Sequence, residues 1–392
     1  MSTHILPAWR ERKKLGDIAK TQSWGTPSRS NSTYWNWSIP WLKSWELNDS
    51  FFISQNTEYI TQEWLDRSSA KLFLEWTLLM AMYGATAGKL GILWIEATTN
   101  QAVCSIQNIK WLFDNKYIFH FLWVNRNKII KDSFWWAQPN ISKTYIDGIQ
   151  IPLPPLIIQK EIVAKLDQIF SNLDQTKSEI QKNIDNVDEL WKSSLNKVFE
   201  SVKWEIKKFK DKEYFELIMW QSPRSETYNT SWDGLPFYQW KKEFWEISPT
   251  PVQYCSEPIR IAEPWDILLS VRAPVWPTNL ANQKCCIWRW LWAIRCKDGK
   301  VDFSYLRFFF KKFESEISKM GKWSTFNAIT KWDLENLGIP LPSLSKQKEV
   351  VVHLDQLLEK TKELKSNYQA QLDNIEEMRK SILDKAFKGE LV

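Results

Sequence analysis

Between residues 155 and 200, apolar side chains recur in alternating steps of three and four: Val163, Leu166, Phe170, Leu173, Ile180, Ile184, Val187, Trp191 and Val198. Such steps place every one of them on a single stripe of an α-helix, and a stripe kept over about five heptads is the seam of a coiled coil. Only Lys177 and Ser194 interrupt it. Just ahead, Pro152, Pro154 and Pro155 force an extended entry, since proline excludes the helical conformation from the residue before it. A second stripe follows with Val351, Leu354, Leu358, Leu372, Ile375, Ile382 and Ala386, made more polar by Thr361, Lys365 and Arg379 in line. Each pattern predicts a helix of about 45 residues, roughly 65 Å long at 1.5 Å per residue. A stripe that long needs a partner helix, and the other copy is the obvious one.

The two helices begin as copies. IPLPPLIIQKEIVAKLDQ at residues 151–168 and IPLPSLSKQKEVVVHLDQ at residues 339–356 agree at 12 of 18 positions, at an offset of 188 residues. No gap is needed before Phe199 meets Phe387. The segments ahead of each helix are rich in aromatic and β-branched residues, Asn, Ser and Pro. Their short apolar runs, such as TLLMAMY and DILLSVRAP, are bounded by turn signals, which predicts mixed α/β globules. These too read as distant copies. Leu78-Leu79-Met80-Ala81-Met82 parallels Leu268-Leu269-Ser270-Val271-Arg272, Asn100-Gln101 with Cys104 parallels Asn282-Gln283 with Cys286, and Ile39-Pro40-Trp41 parallels Leu235-Pro236-Phe237. The expected order is a globule over 1–154, a helix over 155–199, a globule over 200–342 and a helix over 343–392. Two equivalent helices separated by a globule can pack antiparallel only with the globules at opposite ends. The fold expected is therefore mixed α/β, internally duplicated, a pseudo-twofold dumbbell with an antiparallel coiled-coil spacer. Such a ruler would suit two readers facing duplex DNA about one helical turn apart, roughly 34 Å.

Composition narrows the function classes. A net charge of +6 is a mild pointer to a polyanionic partner, weakened by 46 acidic residues standing against 52 basic ones. The longest apolar stretches, such as WTLLMAMYGATAG, are short and broken by Gly, and no N-terminal signal pattern precedes them, so a cytoplasmic protein without a membrane partner is expected. The five cysteines, Cys104, Cys255, Cys285, Cys286 and Cys296, show no C-x-x-C, which leaves reduced structural thiols as the expectation.

Catalytic signatures are missing from the sequence. GATAGKL at Gly84–Leu90 is one residue short of a phosphate-binding loop and has Leu90 where the hydroxyl belongs, so a turn is expected there. There is no [ND]-P-P-[YF] to hold a flipped base and no Gly-rich loop for a methionine-derived cofactor. Glu205-Ile206-Lys207 resembles half of a nuclease site without its paired acid, and His4, His120 and His353 form no local cluster. The chain is expected not to be an enzyme, with no cofactor of its own.

Across essentially its full length the chain resembles the DNA specificity subunit of type I restriction-modification enzymes. LGDIAKTQSWGTPS, AMYGATAGKLGIL, EATTNQAVC, AQPNISKTYI and IPLPPLIIQKEIVAKLD look like the first half of that family. LPFYQWKKEF, ILLSVRAPVWPTNLANQKCCI, STFNAITKWDLENLGIPLP and KAFKGELV look like the second. The resemblance implies two target-recognition domains, each reading one half of a split double-stranded DNA target, with helices that set the spacer and bind two methyltransferase subunits. Restriction subunits are optional partners, and the methyl donor and ATP belong to the partners. Candidate DNA contacts, chosen from polar residues of the loop-like motifs, are Lys43, Ser44, Tyr83, Thr86 and Lys89 in the first reader and Tyr238, Gln239, Lys241 and Arg272 in the second. Gln159-Lys160-Glu161 and Gln347-Lys348-Glu349, repeated identically, are the candidates for subunit docking. Two other classes fit the same pattern: a coiled-coil scaffold that reads no DNA, and a specificity subunit of a different modification or phage-defence system.

The chain departs from the family in one respect, carrying 26 Trp and only 11 Gly. Trp24, Trp37, Trp45, Trp76, Trp94, Trp135, Trp136, Trp220, Trp240, Trp265, Trp276, Trp288, Trp290 and Trp323 stand where family motifs carry Gly. Restoring Gly at these positions would bring its share close to the ordinary ~7%. The reading that follows is a gene using UGA for glycine and translated with UGA as tryptophan.

Overall fold

The computed structural model describes residues 12–391 except 24, 69, 136–137, 201–203, 220, 240–247, 273–277 and 321–328. It divides into two compact units: Met1–Glu179 with Gln371–Val392, and Ile180–Ala370. The heptad stripes form two helices of 45 residues each, Leu156–Glu200 and Leu344–Lys388, and both units draw on both helices.

In unit 1 a five-stranded sheet runs in the order Lys20–Gln22, Val103–Gln107, Leu78–Ala81, Leu90–Leu93, Ser50–Ile53. Its strands are antiparallel except for the last pair. The central strands are buried on both faces, as their unbroken apolar runs require. Leu78, Met80, Ile92 and Ile106 face a core that includes Tyr117 and Leu122 from the helix Asn115–Val124 and Ile162, Leu166, Phe170, Leu383 and Ala386 from the long helices. Leu79, Ala81 and Val103 face the other way, toward Leu42 and Phe73, where a three-stranded sheet of Glu58–Ile60, Trp35–Leu42 and Thr98–Thr99 lies. Unit 2 repeats the plan with a four-stranded sheet of Phe215–Ile218, Leu291–Cys296, Ile267–Ser270 and Thr278–Leu280. Its second sheet has five strands and includes Leu235–Tyr238 and Cys285–Ile287.

The strand register corrects two of the sequence parallels. Ile267 pairs with Ile294 and Leu280 and faces the helix-side core, as Leu78 does with Ile106 and Ile92, whereas Leu268 faces the opposite core, as Leu79 does. The counterpart of Leu78 is thus Ile267, not Leu268. A slip of one residue turns every side chain to the other face of a strand, and a run of consecutive apolar residues carries no alternation to reveal it. Cys104 pairs with Met80 in the middle of the main sheet of unit 1, while Cys286 pairs with Phe237 in the second sheet of unit 2. The Asn-Gln…Cys likeness therefore joins non-equivalent strands.

Each globule closes at a two-stranded gate. Arg12–Lys14 pairs antiparallel with Gln150–Pro152 in unit 1, and Ile206–Lys208 with Gly338–Pro340 in unit 2. In unit 1 Lys177 pairs with Glu376 at 2.7 Å, Arg379 with Asp174, and the Lys165 Nζ donates to the Leu391 carbonyl at 2.7 Å. Numbers rise along one helix as they fall along the other, so these segments run antiparallel. In unit 2, Lys365 pairs with Asp188 while Leu195 and Phe199 share a core with Leu354.

Candidate nucleic-acid interface

Three of the sequence candidates share one turn. Tyr83, Thr86 and Lys89 lie between the strands Leu78–Ala81 and Leu90–Leu93, on a turn built on Gly84 and Gly88 at φ +68° and +78°. Those left-handed values suit glycine, which has no Cβ to clash. The Thr86 hydroxyl donates to the Tyr83 carbonyl at 3.3 Å, so Thr86 also shapes the turn from within. Tyr83 and Ala85 are exposed, and Thr86 and Lys89 half-buried. Leu90 opens a strand and no helix follows, so the GATAGKL segment lacks the helix N-terminus a phosphate loop needs.

The other candidates fare differently. Lys43 is buried, its ammonium bonded to Glu58 at 2.5 Å and lying 4.2 Å from the centre of the Trp45 ring. Burial raises the Glu58 carboxyl, but hydrogen bonds from Lys43 and Arg29 and their charges outweigh it and hold Glu58 below its ordinary range. Lys43 is thereby an internal counter-ion, and its neighbour Ser44 is the half-exposed member of that pair of candidates. Tyr238 is also buried, its hydroxyl directed at the Pro249 carbonyl at 3.5 Å, whereas its neighbour Gln239 is half-exposed. Arg272 is exposed, its guanidinium 4.1 Å over the Trp290 ring. Lys241 lies outside the described residues.

The docking triplets divide by position. The buried Gln159 accepts from the Asp114 N–H at 2.9 Å and donates to the Pro154 and Leu112 carbonyls at 2.8 and 3.2 Å. Gln347, equally buried, accepts from the Asp302 N–H at 2.8 Å and donates to the Pro342 and Lys300 carbonyls at 2.9 and 3.0 Å. Both carboxamides are fully occupied inside the protein, so they bolt the long helix to the globule and offer nothing to a partner. Lys160, Glu161, Lys348 and Glu349 are exposed beside them.

Sequence reasoning missed two basic clefts. One of about 700 Å³ in unit 1 is lined by Lys14, Lys20, Lys110 and Lys143 with Asp17 and Asp147. One of about 470 Å³ in unit 2 is lined by Lys210, Lys212, Lys297 and Lys331 with Glu216 and Glu335. Lys143 and Lys331 stand at the same 188-residue offset as the helix copies, which was the signal available.

No group of three or more His, Cys, Asp or Glu that could hold a metal occurs among the described residues, and no helix there is long and apolar enough to cross a membrane. Burial pushes the Cys104 and Cys296 thiols up to about 12, against reactive thiolates at either. Lys207 is tied to its own neighbour Glu205 on the surface. His120 is buried in unit 1, His353 is exposed in unit 2 and His4 lies outside the described residues.

Two α/β units, each carrying a basic cleft and each bolted through the same glutamine contacts to a 45-residue helix, define a class of protein in which paired globules are mounted on long helices. The chain belongs to the type I restriction modification DNA specificity family, whose domain matches it twice, over residues 9–186 and 190–374. It is 36% identical over 274 residues to a Methanocaldococcus jannaschii protein provisionally named the type I restriction enzyme MjaX specificity subunit. That alignment covers 65% of this chain and 62% of the relative, a little under two thirds of the relative's length. A chain solved in work on complex assembly and conformational transition of the type I R-M system matches with a TM-score of 0.80 at 29% identity, over 99% of this chain and 100% of that one. The HsdS subunit from Thermoanaerobacter tengcongensis matches with a TM-score of 0.65 at 28% identity, over 99% of each chain.

Proposed function

We propose that the chain is a non-catalytic DNA specificity subunit of a type I restriction-modification complex, reading a bipartite, asymmetric duplex target. Each α/β unit reads one half-site, and the long helices act as an antiparallel coiled-coil spacer in a duplicated, dumbbell-shaped chain. The observation that carries this reading is a frame repeated around readers that differ. The Gln159 and Gln347 bolts are the same, while the candidates that reach the surface at least in part are Ser44, Tyr83, Thr86 and Lys89 in one unit and Gln239 and Arg272 in the other. A symmetric frame with unlike readers suits a target whose two halves differ. The exposed Lys160, Glu161, Lys348 and Glu349 next to the bolts are the proposed docking points for two methyltransferase subunits, with restriction subunits as further partners. The lysines of the two clefts serve as phosphate contacts, which position a protein on DNA without reading its sequence. Methyl donor and ATP are held by the partners.

Methylation mapping of genomic DNA, with and without this gene and with its methyltransferase co-expressed, tests the reading. The expected result is a gene-dependent motif of two short blocks around a fixed gap. An assembled complex that adds no motif would move the assignment to a scaffold that does not read DNA.

A further inference from the structure

The turn carrying Tyr83, Thr86 and Lys89 is held at its base by a network of hydrogen bonds from Arg126 and Asp49. Arg126 begins the helix Arg126–Asp132, and its Nε donates to the Gly88 carbonyl at 2.8 Å. The remaining guanidinium nitrogens grip both oxygens of Asp49, one of them at 2.9 Å. Asp49 in turn accepts from the Leu90 N–H at 3.0 Å, and its own N–H donates to the Leu90 carbonyl at 3.0 Å. One charge-assisted network therefore fixes the turn on both sides of Lys89. The fit is close, for a Cβ on Gly88 would stand 2.9 Å from the Arg126 Cγ.

In unit 2 the position 188 residues on is Glu314, and it does the corresponding job with the opposite chemistry. Its carboxylate accepts from both the Thr278 N–H at 2.8 Å and the Thr278 hydroxyl at 2.9 Å. Its second oxygen takes a hydrogen bond from Lys311 at 2.9 Å. Thr278 opens the strand Thr278–Leu280, which pairs with Ile267–Ser270 as Leu90–Leu93 pairs with Leu78–Ala81. The matching position thus holds a turn carbonyl through a cation in unit 1 and a strand N–H through an anion in unit 2.

We propose that Arg126, acting through Gly88 and Asp49, is a positioning residue for base discrimination: it sets the pose of the turn that carries Tyr83, Thr86 and Lys89 while touching no DNA itself. This rests on the functional reading above. A reading side chain displaced from its base edge loses the discrimination a good contact supplies, roughly tenfold per base pair.

The test uses the full complex with its methyltransferase subunits and a DNA library randomised separately in each half of the motif. Arg126→Lys keeps the charge but cannot span Gly88 and Asp49 together, and should relax one half-site by roughly tenfold at one or two base pairs while the other profile stays unchanged. Asp49→Asn should relax the same half-site. Glu314→Ala, in unit 2, should leave that half-site's profile unchanged. If Glu314→Ala does not assemble, Arg126→Lys and Asp49→Asn still decide the matter. Arg126→Lys and Asp49→Asn variants that lower methylation equally at all sequences, alter both half-sites together, or leave both profiles intact would overturn the proposal. A wild-type complex with no bipartite motif would instead overturn the functional reading beneath it.

Discussion

In unit 1 the Tyr117 hydroxyl donates to the Pro152 carbonyl at 2.8 Å, and in unit 2 the Tyr305 hydroxyl donates to the Pro340 carbonyl at 2.6 Å. Asp114 and Asp302 cap the helices that carry those tyrosines through the same pair of N–H groups. One helical turn beyond the tyrosines the units part company. His120 occupies unit 1 between Phe51, Phe119 and Phe170, whereas Phe308 at the matching place in unit 2 packs on Trp191 and lies under Arg307. Further along the same line Arg126 answers to Glu314. The junction with the long helix thus keeps the same chemistry in both units, where a side-chain amide satisfies backbone groups that the fold takes partly or wholly out of water. The side chains above it are free to diverge so long as they fill the same space.

The junction gives the largest expected effect. Gln159→Leu removes the partners of the buried Pro154 carbonyl and of the half-buried Asp114 N–H and Leu112 carbonyl, and should destabilise unit 1 by ~3 kcal/mol. Gln347→Leu should cost unit 2 about as much by the same principle. Hydrogen exchange of each unit's own amides measures both, and a large difference between the two would break the equivalence of the junctions.

The His120 and Phe308 difference comes next. Burial foremost, then the charges of Lys116 and Arg379, depress the His120 pKa to about 3. The folded state therefore binds fewer protons than the unfolded one between its ordinary value of 6.5 and about 3. Stability of unit 1 should fall across that window by up to ~1.4 kcal/mol per pH unit as pH drops, or ~2 kcal/mol by pH 5. His120→Phe should remove this contribution to the acid slope of unit 1, and Phe308→His should confer a similar slope on unit 2. Equal slopes in the wild-type units, followed amide by amide, would count against this use of His120.

The smallest effect concerns both units alike. Among the described residues, the non-glycine positions with positive φ are Asp49, Trp76, Trp111, Trp232 and Trp265, at 65°, 68°, 51°, 68° and 75°. A bulky residue in that region carries roughly 1 kcal/mol or more of strain. All four tryptophans are also exposed. Replacing each by Gly should raise stability by up to ~1 kcal/mol, less where a ring contact such as Trp265 on Phe303 is lost. Peptide masses of the protein from its own host should show Gly at these sites, and finding Trp there would rule out the UGA reading.

The long helices were legible because a heptad stripe is a purely local signal that thirty or more residues repeat. The α/β character of the globules was legible in their short apolar runs. Strand register was not, as the slip between Leu78 and Leu268 shows, since a buried run such as Leu78–Ala81 has no polar face to mark its phase. The site was legible only where local geometry matters, as in the turn with Gly84 and Gly88. Lys43 and Tyr238 carry polar atoms that look available in sequence, and only the fold supplies Glu58 and the Pro249 carbonyl to absorb them. Gln159 was misplaced for the same reason: a repeated polar residue can be repeated because it is buried.

The gates where Arg12–Lys14 meets Gln150–Pro152 and Ile206–Lys208 meets Gly338–Pro340 have an evolutionary meaning. Chain that enters and leaves a body through two adjacent strands forms a cassette. A different insert could sit on the same gate strands and long helix provided it supplied the glutamine with the backbone groups that Asp114 and Leu112, or Asp302 and Lys300, supply here. Under the proposed function, exchanging one insert between its gates would change one half-site preference as a unit and leave the other in place.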